Sequence, residues 1–372
     1  MRTELNPFLS QKFRFWSFVS MFLLVFLHGY NVEPRYLQPW TTPTEPLTAT
    51  GFVEYLLANG LLRFRIPMLF IISGYLFALH DEQPHRQRVR KRLRTLLAPS
   101  LIWSSFGILL TYVLELHPIM RSAIASSHVA QIDDTRMFIH DHSWYEIAMR
   151  WLFFPVSYQL WFIRVLLIYN LAYPLIVKAV MHRTARHIFF SFAVLFWLAT
   201  FNLVLLEGEG ILFFSLGVWI QKTNFAIETP QPWLNPIGWF IAFVGLAVLK
   251  TWLAFRGQSL LGNGVYPLIT LLHKGTVIGG LIACWYGGDA IVLQALKWKQ
   301  AFADRSDAEM AIATQFCFES DPVIAWANRL AAEGVKLPIH IGIAGPAKLQ
   351  TLIKFAIACG VGPSLRVLQK RE

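Results

Sequence analysis

Charge is what this chain has little of. Only 15% of its 372 residues are Asp, Glu, Lys or Arg, against about a quarter in a soluble domain. That shortage excludes a water-soluble globule throughout. Cysteine is scarce as well. Cys284, Cys317 and Cys359 have neither CxxC nor metal-ligand spacing, which excludes a disulfide framework and a cysteine metal site. They read as packing residues, and no metal is expected. A cleavage signal is the third absence. The apolar core "WSFVSMFLLVFLHGYN" follows Lys12 and Arg14, but no small-x-small motif comes closely after it. It is expected to stay as the first membrane helix.

What is there is apolar and basic. Hydrophobic residues make up 55% of the chain, the net charge is +11 and mean hydropathy is +0.46. The cations do not form a surface to wrap a nucleic acid. They sit in short clusters between apolar runs, as membrane proteins place them, so the expected partner is membrane lipid. Crossing a roughly 30 Å hydrocarbon layer takes about 20 residues. Eight segments qualify as candidates: about 13–30, 56–79, 96–115, 159–180, 187–206, 209–221, 235–255 and 264–286. The sixth is short. The densest basic cluster, "HRQRVRKRLR" (His85–Arg94), is assigned to the cytoplasm by the positive-inside rule. That puts the N-terminus inside and returns the chain to the cytoplasm near Gly287, with loops 31–51 and 116–145 outside.

After about Asp289 the character changes. "AEMAIATQFCF" and "KLPIHIGIAG" read as strands. "DPVIAWANRLAAEG" reads as a helix with Asp321 as N-cap, Pro322 in its first turn and Gly334 past its end. "PAKLQTLIKFAIACG" reads as a second helix, opened by Pro346 and closed by Gly360. The fold class that follows is an all-α polytopic membrane bundle over residues 1–288, then a small α/β (βαβα) piece over 289–372. Two such units are too few to cover a sheet alone.

Ionisable residues inside membrane segments are costly and are functional candidates by default. His28 ends the first helix in "FLHGYN"; it is either a catalytic base or a wetted interfacial histidine. Arg65, in "FRIPMLFIISGYLF", either holds an anion or snorkels to an interface. Arg164, in "QLWFIRVLLIY", has apolar neighbours on both sides and should face a bundle interior. "SGY" (Ser73–Tyr75) lets helices approach closely. "KRLRTLLAPSLIW" is either a topology signal or a landing site for donor phosphates.

Taken in order, "RFWSFVSMFLLVFLHGYN", "RFRIPMLFIISGYLF", "KRLRTLLAPSLIWS", "QLWFIRVLLIYNLAYPLI" and "FFSLGVWI" resemble the acyltransferase 3 family of integral membrane acyltransferases over residues 10–286. The resemblance implies transfer of an acyl group, often acetyl from acetyl-CoA, to a hydroxyl of a surface carbohydrate or related acceptor, in the inner membrane. It implies His28 as the essential histidine and Arg65 and Arg164 as groups that bind the donor or the developing oxyanion. The family commonly has an arginine eleven residues before that histidine. Here that position is Ser17, and Arg14, one turn earlier, is the candidate replacement. The family also has about ten helices, so the bundle reads as shortened.

The tail, residues 293–371, resembles the C-terminal barrel units of methylenetetrahydrofolate reductase, a (β/α)8 fold. That resemblance implies Gln315 as a folate contact and Phe355 as an aromatic near the substrate ring, with Thr351 where the family has a glutamine. The strands that carry the general acid and most FAD contacts in that family precede the matched stretch. FAD therefore belongs only to the alternative reading, a folate oxidoreductase fragment. A fusion, a frameshift or an artificial join would explain two partial families meeting near 286–297. A transporter without catalysis is the remaining alternative.

Overall fold

The computed structural model describes residue 5 and residues 7–28, 40–127, 129–156, 160–203 and 206–293, and further on 312–317, 324, 327–328 and 339–343. Side chains are left undescribed for 25–28 and for both later strands. The chain divides into two compact units, Met1–Leu293 and Gln294–Glu372.

The first unit is helical. Its helices are α1 (Pro7–His28), α2 (Ala49–Tyr55), α3 (Arg65–Leu79), α4 (His85–Arg92), α5 (Ala98–Leu114), α6 (Pro118–Ser127), α7 (Trp144–Leu152), α8 (Trp161–Met181), α9 (Arg183–Leu198), α10 (Gly208–Lys222), α11 (Pro236–Leu261) and α12 (Val265–Gly287). Wide π-helical turns, Leu56–Leu61 and Leu93–Leu97, join α2 towards α3 and α4 to α5. A two-residue antiparallel hairpin, β1 (Asn202–Leu203) with β2 (Leu206–Glu207), leads into α10.

Each of the eight expected segments overlaps a helix, although 187–206 runs on past Leu198 into β1. Among the described residues, however, only four helical stretches are long and apolar enough to cross a membrane: Ala49–Leu79, His85–Leu114, Trp161–Met181 and Pro236–Leu293. The reasons are local. α10 has 15 residues, about 22 Å at 1.5 Å rise, short of the hydrocarbon thickness. α9 stops at Leu198, not 206, and opens with Arg183, Arg186 and His187. α1 carries Lys12 and Arg14 among its apolar residues. The expected loop at 116–145 instead contains α6 and leads into α7. Ser143 caps α7 in a reciprocal box: its hydroxyl accepts from the Glu146 N–H, and the Glu146 carboxylate accepts from the Ser143 N–H.

Helix directions follow from the contacts. Phe13 packs on Tyr75 and Trp16 on Phe64, so α1 runs antiparallel to α3. Phe70 meets Phe162 and Phe77 meets Tyr173, so α3 and α8 run parallel. α3 and α10 cross at two glycines. A Cβ on Gly74 would lie 2.1 Å from the Phe214 carbonyl oxygen, and one on Gly217 would lie 2.1 Å from the Ile71 oxygen. No larger residue fits there, and this is the packing role open to "SGY". α11 and α12 form a hairpin turned at Gly262, whose φ of 52° is in the left-handed region that glycine favours. Outward faces stay apolar, as on α5, where Ile102 is 67% and Leu109 62% exposed. Such a surface suits lipid, not water.

One end of this unit gathers fixed charge. Lys12 is fully buried, pairs with Asp289 at 2.5 Å and lies over the Trp285 ring at 4.2 Å. Asp81 accepts from Arg88 at 2.6 Å and also from Lys222. Arg88 donates to the Phe77 carbonyl at 2.9 Å and lies over Phe77 and Tyr173. Burial raises the Asp81 pKa, but the Lys222 hydrogen bond and the charges of Lys222 and Arg88 outweigh it, leaving the carboxyl below its ordinary value.

In the second unit, β3 (Ile312–Cys317) pairs in parallel with β4 (Ile339–Ile343), with Ile312 opposite Ile339 and Cys317 opposite Ile343. A parallel pair needs a crossover between its strands. Ile324, Ala327 and Asn328 between them are helical. These described residues amount to two strands, and the barrel fragment implied by the reductase likeness is not visible in them.

Candidate active site

A charged cavity of the first unit, about 300 Å³, opens where six helices meet the β1–β2 hairpin. α1 contributes Ser20, Met21 and Leu24. The turn before α3 contributes Arg63, and α3 itself contributes Arg65 and Ile66. Trp161 comes from α8 and Trp197 from α9. Glu207 and Glu209 flank the start of α10, and His273 and Lys274 come from the middle of α12. Three cations and two carboxylates thus converge inside a membrane bundle, where charge is expensive unless it has a use.

Backbone geometry fixes several of these groups. Arg63 donates to the Asn59 side-chain oxygen one turn earlier. Arg65 donates its Nε–H to the Leu62 carbonyl at 3.0 Å and is 3% exposed. Glu207 is anchored through its backbone: its N–H donates to the Tyr169 hydroxyl at 3.2 Å, and its carbonyl accepts from that hydroxyl at 2.9 Å. Its side-chain Oε2 is buried with no hydrogen-bond partner among the described residues. The Trp197 indole N–H donates to Glu209 at 3.2 Å. Lys274 lies over the Trp197 ring at 4.9 Å.

Behind the cavity wall sits a fully buried Lys250. Its ammonium donates to the Asn59 carbonyl at 2.7 Å and lies 2.9 Å from His273 Nδ1. Trp40 stacks on the His273 ring at 4.2 Å, with the planes 19° apart. Trp40 has a φ of 58°, uncommon for a residue with a side chain. The Tyr55 hydroxyl holds it there by donating to its carbonyl at 2.5 Å.

A second cavity of about 550 Å³ adjoins the first and shares Trp161, Asn202 and Glu207 with it. Its other walls include Glu146 and Arg150 of α7 and Phe153, Phe154 and Pro155.

The expected site residues separate on this map. Arg65 lines the charged cavity. His28 is the last residue of α1, one helical turn beyond Leu24 and two beyond Ser20, so its backbone continues the face that lines the cavity. Its side chain lies outside the described residues. Arg14 is exposed on α1 and lines neither cavity. Arg164 is 4% exposed but also lines neither cavity. It donates to the Trp151 carbonyl at 2.7 Å and to Ser100 Oγ at 3.4 Å, tying α8 to α7 and α5. Gln315 is described only as backbone of β3. Phe355 and Thr351 fall outside the described residues.

The sequence alone did not single out Lys250, His273, Lys274, Glu207, Glu209 or Arg63 as site residues. The signal was available. Lys250 lies inside the segment 235–255, and His273 and Lys274 lie in the middle of 264–286.

Comparison with known proteins agrees with the bundle. The acyltransferase domain family model matches residues 17–302, most of the chain. The chain belongs to the acyltransferase 3 family. It is accordingly an integral membrane acyltransferase, and its helices form the family's domain. A relative is the succinoglycan biosynthesis protein ExoH of Rhizobium meliloti (strain 1021), 23% identical over 274 residues, which cover 72% of this chain and 68% of that protein. No solved structure matches. The family match stops at 302, so the likeness of the tail to a reductase and the idea of a fusion gain no support from it.

Proposed function

We propose that this acyltransferase moves an acyl group, acetyl in the simplest case, from acyl-CoA to a hydroxyl of a carbohydrate. One observation carries the acceptor assignment. The wall shared by the two cavities holds Trp161 and the orphaned Oε2 of Glu207. An aromatic face beside an unsatisfied carboxylate oxygen suits a sugar, which offers C–H faces and hydroxyl donors together. The succinoglycan biosynthesis relative supports the same class of acceptor.

His28 is the base in this reading. It takes the acceptor hydroxyl proton as the oxygen bonds to the acyl carbon. The carbon–sulfur bond then breaks, and the coenzyme thiolate leaves with the proton returned by His28. Arg65 stabilises negative charge on donor phosphate or on the reacting carbonyl oxygen. The end that carries Lys12, His85–Arg94 and Lys222 is the cytoplasmic one, so both termini are assigned to the cytoplasmic side of the inner membrane. Arg14 and the basic α4 are then within reach of a coenzyme arriving from the cytoplasm. Arg164 holds helices together and affects transfer only through them.

The test is labelled acetyl transfer in membranes. His28→Ala is expected to abolish transfer at an unchanged membrane level; unchanged transfer removes His28 from the mechanism. For the tail, the parallel pairing of β3 with β4 is common to any βα unit and does not mark a reductase. Two strands cannot assemble a barrel site, which draws on the ends of several strands. The purified protein is therefore expected to be colourless, and stoichiometric FAD in its absorption spectrum would contradict this.

A further inference from the structure

We propose that His273 is a further catalytic residue: a neutral imidazole, held by Lys250 with its proton on Nε2, that donates this N–H to the carbonyl oxygen of the acyl group in the cavity. The inference rests on the acyl-transfer reading above and adds a group which that reading does not contain.

The tautomer follows from a count of donors and acceptors. A lysine ammonium only donates, and a neutral imidazole has one donor nitrogen and one acceptor nitrogen. Lys250 is surrounded by acceptors and electron-rich faces: the Asn59 carbonyl at 2.7 Å, the Trp40 ring at 5.4 Å, the Tyr55 ring at 5.5 Å and His273 Nδ1 at 2.9 Å. With Lys250 as the ammonium, Nδ1 accepts and the proton is on Nε2. A doubly protonated ring has no lone pair to offer an ammonium, so this contact also keeps His273 neutral. His273 lines the cavity, and its Nε2 takes no bond among the described residues.

The surroundings hold the ring still. Trp40 covers one face at 4.2 Å, itself fixed in an uncommon backbone conformation by Tyr55. Lys250 is buried at the meeting of α11, α12 and the π-turn, bonded to the latter two at once. Backbone strain and a buried cation spent on aiming one imidazole fit a preorganised donor better than filler. A neutral imidazole can polarise a carbonyl without giving up its proton. The transfer balances as written above: His28 removes and returns the proton, the ester bond forms and the thioester bond breaks. His273 lends its N–H to the oxygen while that oxygen carries negative charge and keeps the proton throughout.

The experiment compares His273→Gln, His273→Ala, Lys250→Arg and Lys250→Met in membranes of matched protein level, reading kcat and KM for acetyl-CoA with a carbohydrate acceptor. A glutamine amide places an N–H near the position of Nε2 but is no base. His273→Ala is expected to lower kcat by about 10²–10³-fold, the usual loss for one oxyanion donor. His273→Gln should recover most of it, with KM for the donor unchanged. Lys250→Met should lower kcat, and Lys250→Arg should restore part of it. Glutamine as inactive as alanine overturns the donor role in favour of a base. Alanine as active as wild type overturns any catalytic role. If the variants fail to accumulate, ¹⁵N NMR of histidine-labelled wild type in lipid decides the matter: the proposal requires a neutral imidazole protonated on Nε2, and a ring protonated on Nδ1 or on both nitrogens contradicts it. Wild type that transfers no acetyl from acetyl-CoA sinks the donor assignment and leaves the tautomer to be judged by NMR.

Discussion

The two ends of the helical unit treat charge differently. At the end with α4, each buried cation named above meets a carboxylate: Lys12 meets Asp289, and Arg88 and Lys222 share Asp81. At the cavity end, Lys250 meets a carbonyl, an imidazole and aromatic rings, while Glu207 keeps a buried oxygen with no hydrogen-bond donor among the described residues. Paired charges fix geometry and leave nothing over for a ligand. Charges held by rings and carbonyls keep bonding capacity, and a membrane protein retains them only where they are used. Burial alone therefore does not mark a functional cation: Arg164 is as buried as Arg65, yet only Arg65 faces a cavity.

That comparison can be broken by substitution. The largest structural effect is expected at Arg164. Arg164→Met removes the bonds to Trp151 and Ser100, worth about 1.5–3 kcal/mol for a charged donor. It should reduce detergent-resistant protein, while the protein that remains transfers acyl groups at the wild-type rate. A selective loss of transfer at full stability would move Arg164 into the machinery. A smaller effect is expected at Asp81. Asp81→Asn weakens an ion pair that is partly open to water, worth about 0.2–1 kcal/mol. Because the folded pKa of Asp81 lies below its unfolded value of about 3.9, its contribution is complete above that pH and is lost as the pH falls through the lowered value. Wild type and Asp81→Asn should thus differ in melting temperature at pH 7 and converge in acid. An equal gap at both pH values contradicts the pairing.

Much of the bundle was legible because apolar length is a local property. The helices of 96–115, 159–180, 235–255 and 264–286 fall close to their expected positions. The failures have local reasons too. α6 was hidden in an expected loop, and α7 at its edge was missed although "SWYE" is a capping box in plain sequence. α9 is shorter than its apolar run because the pairing of β1 with β2 interrupts that run. The site was only half legible. Arg65 stood out beside Pro67, but Lys250 and His273 are 23 residues apart on different helices. Their meeting is a fact of packing that no single segment displays. Glu207 falls between two expected spans, and only the fold sets it on the wall of two cavities.

The central claim is that the charged cavity, not the paired end, performs the transfer. The measurement that tests it most directly is the labelled-acetyl transfer rate of Arg65→Met at matched membrane level. A fall of about 10²–10³-fold, with the protein still folded, is the result predicted for a lost charge-stabilising donor. Transfer at the wild-type rate would contradict the assignment of the site.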